Sequence, residues 1–337
     1  MTAVPTARGD SVDSSELGFT LMTEHVFLTD AEVSRNWPQT FGDPDQRVED
    51  AVRKLATAKA KGVDTIVDRT AVGIGRNVPL VKRVAEQSDV NIVVSTGFYT
   101  MNDVPLFFLF REIEPQFEGR RGERVEDFLV KDIEEGIGDT GVKAAIIKCA
   151  TDAPGVTQGV DYTLRNTARA HRRTGAPIFT HTNGAATGQM QLEVFEDEGV
   201  DLSRVMIGHI DRTPEAEVEK IAQIMDRGSI VGFDSFHFPE GLGPWMEPEA
   251  KRLQWIAGFC ARGYADRIVL AHDQPSYTDL MPEDLAQRTE SERGCWTYLS
   301  DVGLDRLQEL GVTDEQIGRM TVDNPRRLFE TRDLGGY

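Results

Sequence analysis

Cysteine is scarce in this chain: Cys149, Cys260 and Cys295 are the three among 337 residues, with no CxxC spacing. An odd, scattered set argues against a disulfide framework and a thiolate metal site, and leaves buried small apolar side chains as the ordinary reading. No apolar run approaches the roughly 20 residues needed to cross a bilayer, so no membrane span is expected. The opening MTAVPTARGDSVDSS lacks the basic and apolar regions of a secretory signal, and a cytoplasmic location is expected. Basic charge is short too. Against 56 Asp and Glu stand 37 Lys and Arg, a formal net charge of -19, which repels nucleic-acid phosphates and anionic lipid, so neither is an expected partner. Two enzyme signatures are also missing: GIGRNV has Gly73 and Gly75 but not the third glycine of a dinucleotide fingerprint, and no GxSxG elbow accompanies His272 and Asp273.

What is present is alternation. Short β-branched runs at 64–68, 91–95, 143–148, 176–181, 204–209, 229–234 and 267–273 follow one another, separated by amphipathic stretches of helical length. An eighth run, LGFTLMTEH at 17–25, precedes them. Eight strands with helices between them predict an α/β protein of the (β/α)8 TIM-barrel type, a single domain over 1–337. Helices are expected at 46–60, 123–135, 161–173, 187–198, 214–226, 247–261 and 314–330. The segments 100–122 and 274–305 are too long for simple connections and are expected to be lids or substrate loops.

Ligand-type residues recur where the strand-like runs end. His25, Lys148, His181, His209 and Asp273 each close a different run, and a barrel gathers the carboxyl ends of its strands on one face. Imidazole and carboxylate suit zinc and related divalent ions, and two such ions need an anionic bridge. An ammonium at Lys148 would repel a metal. A carbamate, formed by reaction of the lysine with carbon dioxide, would bridge two ions; a snorkelling or ion-paired lysine is the alternative.

These residues sit in GFTLMTEHVF, GVDTIVDRT, STGFYT, GVKAAIIKCATD, GAPIFTHT, DLSRVMIGH, VLAHD and VDNPRRLF. Taken in order they resemble the phosphotriesterase family, including its lactonases, within the amidohydrolase superfamily. The resemblance implies a metal-dependent hydrolase with two divalent ions, zinc for preference, and a carboxylated Lys148 between them. His181 and His209 would hold the more exposed ion, His25 and Asp273 the more buried one. Asp273 would also handle the proton of the attacking water, and Tyr99 would lie beside the metals. A homodimer and a lactone substrate such as an N-acyl homoserine lactone are implied as well, with weak organophosphate triesterase activity. Two departures stand out. The family pattern begins with His-x-His where this chain has Thr23-Glu24-His25, which weakens the buried metal site and leaves a degenerate barrel acting as a binding protein as the rival reading. In GFDSFHFPEG, Ser235 stands where relatives carry His or Arg, and Ser235, His237 and Trp245 are the expected substrate contacts along with Tyr99.

Overall fold

The computed structural model describes residues 2–100, 102–113, 124–236, 238 and 246–330. Parallel strands follow in chain order: Thr20–Leu28, Thr65–Asp68, Asn91–Gly97, Ile146–Ala150, Ile178–His181, Val205–Ile207, Ile230–Phe233 and Ile268–Leu270. The eighth strand then breaks and resumes as Pro275–Thr278, which pairs in parallel with the first, Pro275 opposite His25. Across the break, the backbone N–H of Asp273 donates to the Thr23 carbonyl at 2.9 Å, and that of His25 donates to the Gln274 carbonyl at 3.2 Å. The sheet therefore closes on itself, and the architecture is the expected (β/α)8 barrel.

Helices Pro44–Ala60, Val125–Glu134, Gln158–Thr174, Ala185–Asp197, Glu219–Asp226 and Glu249–Ala261 fall where amphipathic patterning predicts them. Elsewhere the structure departs from expectation. The helix expected at 314–330 is built in three pieces, Asp314–Gly318, the wider-wound Arg319–Asp323, and Asn324–Phe329. The supposed loop 274–305 contains the resumed strand and helix Glu283–Arg293, while 102–113 of the other supposed loop is partly helical from Leu106. A short helix, Val78–Ala85, is an addition to the expected set; Asn77 caps it by accepting from the Leu80 N–H, and Pro79 fits its first turn. Among the described residues no helix is long and apolar enough to cross a membrane.

Period-two alternation sorts the strand side chains into two layers. Met22, Val67, Val93, Ile146, Phe179, Met206, Ile230 and Val269, one from each strand, form the barrel filling together with Leu17, Leu328 and Phe329. Their neighbours Leu21, Ile66, Ile92, Ile178, Val231 and Ile268 belong to the outer layer under the helices. Toward the carboxyl end the apolar filling gives way to buried polar groups: Thr23, Arg69, Lys148, His181, His209 and Asp234. Burying so many polar groups is costly unless each is partnered, so the partners define the site.

The third and fourth strands approach more closely than a side chain allows. Gly97 has φ +115°, and a Cβ placed on it would lie 1.9 Å from the Lys148 carbonyl oxygen. Gly97→Ala is therefore expected to cost about 3 kcal/mol or more of stability, through the forbidden backbone and the clash together. A urea unfolding midpoint close to that of the parent would refute this.

One buried histidine lies apart from the ligand-type set. His171, within Gln158–Thr174, donates from Nδ1 to the Ala176 carbonyl at 2.8 Å, and burial brings its pKa down to about 4 despite that bond. Because the folded value is depressed, the unfolded chain binds the proton first as pH falls through 6.5. Stability is thus present above pH 6.5 and lost toward pH 4, by about 3 kcal/mol for this residue. His171→Gln should flatten that part of the acid limb in denaturant titrations at pH 7 and pH 4; an unchanged slope would exclude His171 as its source.

Candidate active site

Three imidazoles at the carboxyl end of the barrel each have one ring nitrogen fixed by a neighbour. Nδ1 of His25 lies 2.8 Å from Thr70 Oγ1, Nε2 of His181 lies 2.9 Å from Asp152 Oδ2, and Nδ1 of His209 lies 2.7 Å from Asp234 Oδ1. Partners of this kind set the tautomer and leave the lone pair of the other nitrogen aimed for a metal ion. For His25 that other nitrogen, Nε2, is 3.3 Å from Asp273 Oδ1. The rings of His181 and His209 stand 4.6 Å apart, and the Tyr99 ring meets His181 edge-on at 5.0 Å. His25, His181, His209, Asp273 and Tyr99 thus belong to one cluster.

Electrostatics prepare these groups. Burial lowers His181 to about 4, against the pull of Asp152, and holds His209 well below its ordinary value with help from Arg212. Both rings are neutral at pH 7, with lone pairs available. The hydrogen bond from His181 takes Asp152 down to about 2. For Asp273, burial works upward, but His209, His25 and Arg212, whose Nη2 is 3.5 Å away, outweigh it and keep the carboxyl well below the usual carboxylate range. The Tyr99 phenol is pushed up by burial and then by Asp273, so it stays protonated. His209 and Asp273 also have φ of 56° and 60°; with Trp296 they are the non-glycine residues at positive φ among those described. Such strain is held in place only where surrounding structure over-determines it, and it clusters at functional sites.

Lys148 is buried at this mouth, and burial, reinforced by Arg69, lowers its ammonium well below the ordinary lysine value. A neutral amine is a nucleophile. Among the described residues, no three His, Cys, Asp or Glu side chains by themselves form a cage for a metal ion. The His25–Asp273 spacing nevertheless matches two donors on one tetrahedral ion, which stand about 3.4 Å apart at ordinary zinc distances. The set fits a divalent ion if Lys148 contributes oxygen, as a carbamate does.

The remaining expected contacts separate. Ser235 is fully buried; its Oγ and N–H both donate to Asp211, at 3.0 Å each, so it has no exposed surface with which to meet a substrate. Arg252 holds the other side of Asp211 at 3.1 Å. His237 and Trp245 lie outside the described residues. Sequence reasoning misses Arg69, Asp234, Asp152, Thr70 and Arg212. Arg69 and Asp234 carry a signal, Arg69 as a charged residue directly after the apolar run TIV and Asp68, Asp234 as the polar end of the run 229–234; Asp152, Thr70 and Arg212 look like ordinary loop or turn residues.

A closed barrel of parallel strands with imidazoles, a carboxylate and a buried lysine on its carboxyl rim defines a barrel protein with a polar, ligand-ready mouth. The sequence profile described as the phosphotriesterase family matches residues 2–329. The chain is 46% identical to a phosphotriesterase homology protein of Mycobacterium tuberculosis, with 100% of each covered. It is 32% identical to an aryldialkylphosphatase of Saccharolobus solfataricus, covering 97% of this chain and 99% of that one. A solved structure described as the phosphotriesterase from Mycobacterium tuberculosis superposes with a TM-score of 0.91 at 44% identity, over 99% of this chain and 100% of that one. The chain belongs to the phosphotriesterase family.

Proposed function

We propose that this single-domain barrel is a metal-dependent hydrolase that opens lactones, N-acyl homoserine lactones among them, with weaker activity on organophosphate triesters. The observation that carries the reading is the set of three imidazoles, each fixed at one nitrogen, gathered with an ionised Asp273 beside a buried, deprotonation-prone Lys148. His25, His181, His209, Asp273 and a carboxylated Lys148 would hold the metal, zinc by ligand type. When bound, a divalent ion polarises a carbonyl or phosphoryl oxygen and acidifies water.

The chain's own groups complete the chemistry. Asp273, ionised and held between His25 and Arg212, takes the proton of the attacking water at its carboxylate and returns it to the leaving alkoxide. Tyr99, protonated beside His181, offers its hydroxyl to the substrate oxygen. Arg212 holds Asp273 in place and adds positive charge where negative charge develops. We place the protein in the cytoplasm as a homodimer, the dimer on its resemblance to the family alone.

The test is lactone and triester hydrolysis by protein purified without chelator, then stripped, then restored with zinc. Turnover should vanish on stripping and return on restoration, with lactones preferred. Turnover that persists in metal-free protein would overturn metal dependence, and preference for the triester would overturn the lactonase assignment.

A further inference from the structure

The carboxyl mouth of the barrel carries a cation of its own. Arg69, next after the second strand, has no exposed surface. Its Nη1 donates to Thr23 Oγ1 at 2.5 Å and lies 3.3 Å from Asp234 Oδ2, while Nη2 donates to the Thr180 carbonyl. Thr23 Oγ1 in turn donates to Asp234 Oδ2 at 2.8 Å. The position is built for a guanidinium. Gly208 makes room for it, since a Cβ there would lie 3.0 Å from both Nη1 and Nη2 and 2.4 Å from the Thr180 oxygen. The Nε–H of Arg69 is buried without a hydrogen-bond partner among the described residues, a donor still able to meet an anion.

Resting on the metal-dependent reading above, we propose that Arg69 is a built-in cation standing in for a second metal, so that each chain binds one divalent ion and the guanidinium is the second positive neighbour of a carboxylated Lys148. The donor chemistry argues for it. Thr23 spends its hydroxyl hydrogen on Asp234 and one of its two lone pairs on Arg69, so an ion could reach the remaining lone pair only from beside the guanidinium. Asp234 is committed as well, to Thr23, Arg69 and both the ring and the backbone N–H of His209. A divalent ion placed among these groups would face a permanent positive charge in a water-poor interior, where like charges repel strongly. The change at position 23 and the arginine at 69 are thus two halves of one replacement: a neutral hydroxyl where the family has an imidazole, and a fixed charge where an ion would need that imidazole.

Metal per chain, measured by plasma mass spectrometry after saturation with zinc and gel filtration, decides the matter without reference to activity. The parent and Arg69→Lys, which keeps the charge, should each retain about one zinc, and the double variant Thr23→His with Arg69→Gln should approach two. Two zinc ions in the parent would overturn the proposal while leaving metal-dependent hydrolysis intact. No zinc in the parent would overturn both. A folded double variant that stays at one would show that Arg69 is not what excludes the second ion, and would also overturn the proposal. Should the double variant fail to fold, the parent's count still decides, with anomalous scattering at the zinc edge from its crystals expected to give one peak bordered by Arg69; two peaks would overturn it.

Discussion

Lys148→Ala should strip the protein of bound metal and reduce hydrolysis by roughly 10³-fold or more, about 4 kcal/mol of transition-state stabilisation. The fold should survive, because the substitution removes an amine that burial and Arg69 already disfavour in its charged form. Loss of function without loss of stability is what distinguishes a ligand from a packing residue. Supplying ¹³C-bicarbonate should add a carbamate carbonyl resonance to the parent that is missing from the variant. Unchanged metal content together with unchanged rates would remove Lys148 from the site.

The largest effect on stability is expected from Asp234→Ala. Asp234 is fully buried and partners Thr23, Arg69 and His209 at once. Removing it leaves the Arg69 guanidinium uncompensated in the interior, and breaking a buried pair from one side costs about 3–5 kcal/mol. The double variant with Arg69→Met should recover much of that loss, since an apolar chain of similar length replaces the orphaned charge. Equilibrium urea denaturation of parent, single and double variants measures both. If the double variant is no more stable than Asp234→Ala alone, the pair is not the source of the cost.

Much of this architecture is legible in the residues because the barrel repeats one simple rule. Runs such as IVVS and AAIIK alternate sides, and each ends in a polar residue that barrel closure must bring to one rim. The eighth strand is harder to read: its second half, PSYT, is short and polar, and its pairing with the first strand is fixed by closure rather than by local propensity. The same limit applies within the site. His25, Lys148, His181, His209 and Asp273 stand at strand ends and can be named from the sequence. Asp152, Asp234 and Arg212 gain their importance from neighbours distant in sequence, as with His209 and Asp234, which are 25 residues apart. GHIDRT offers an acid beside a histidine, yet Asp211 turns to Ser235 and Arg252, while the acid that holds His209 comes from the next strand. Sequence proximity points to the wrong carboxylate because the backbone at His209 is left-handed and turns the chain away at Ile210 and Asp211.

The broken eighth strand gives the barrel a seam, and Asp273 is its clasp. The residue whose carboxylate faces His25 also supplies, from its backbone N–H, the hydrogen bond to Thr23 that joins the last strand to the first. Whatever draws that carboxylate inward tightens the cylinder's closure, and whatever releases it lets the seam breathe. The amide of Asp273 is therefore a natural reporter in hydrogen exchange: occupancy of the mouth should slow its exchange more than that of amides in the middle of the third or fourth strand, where the wall is continuous.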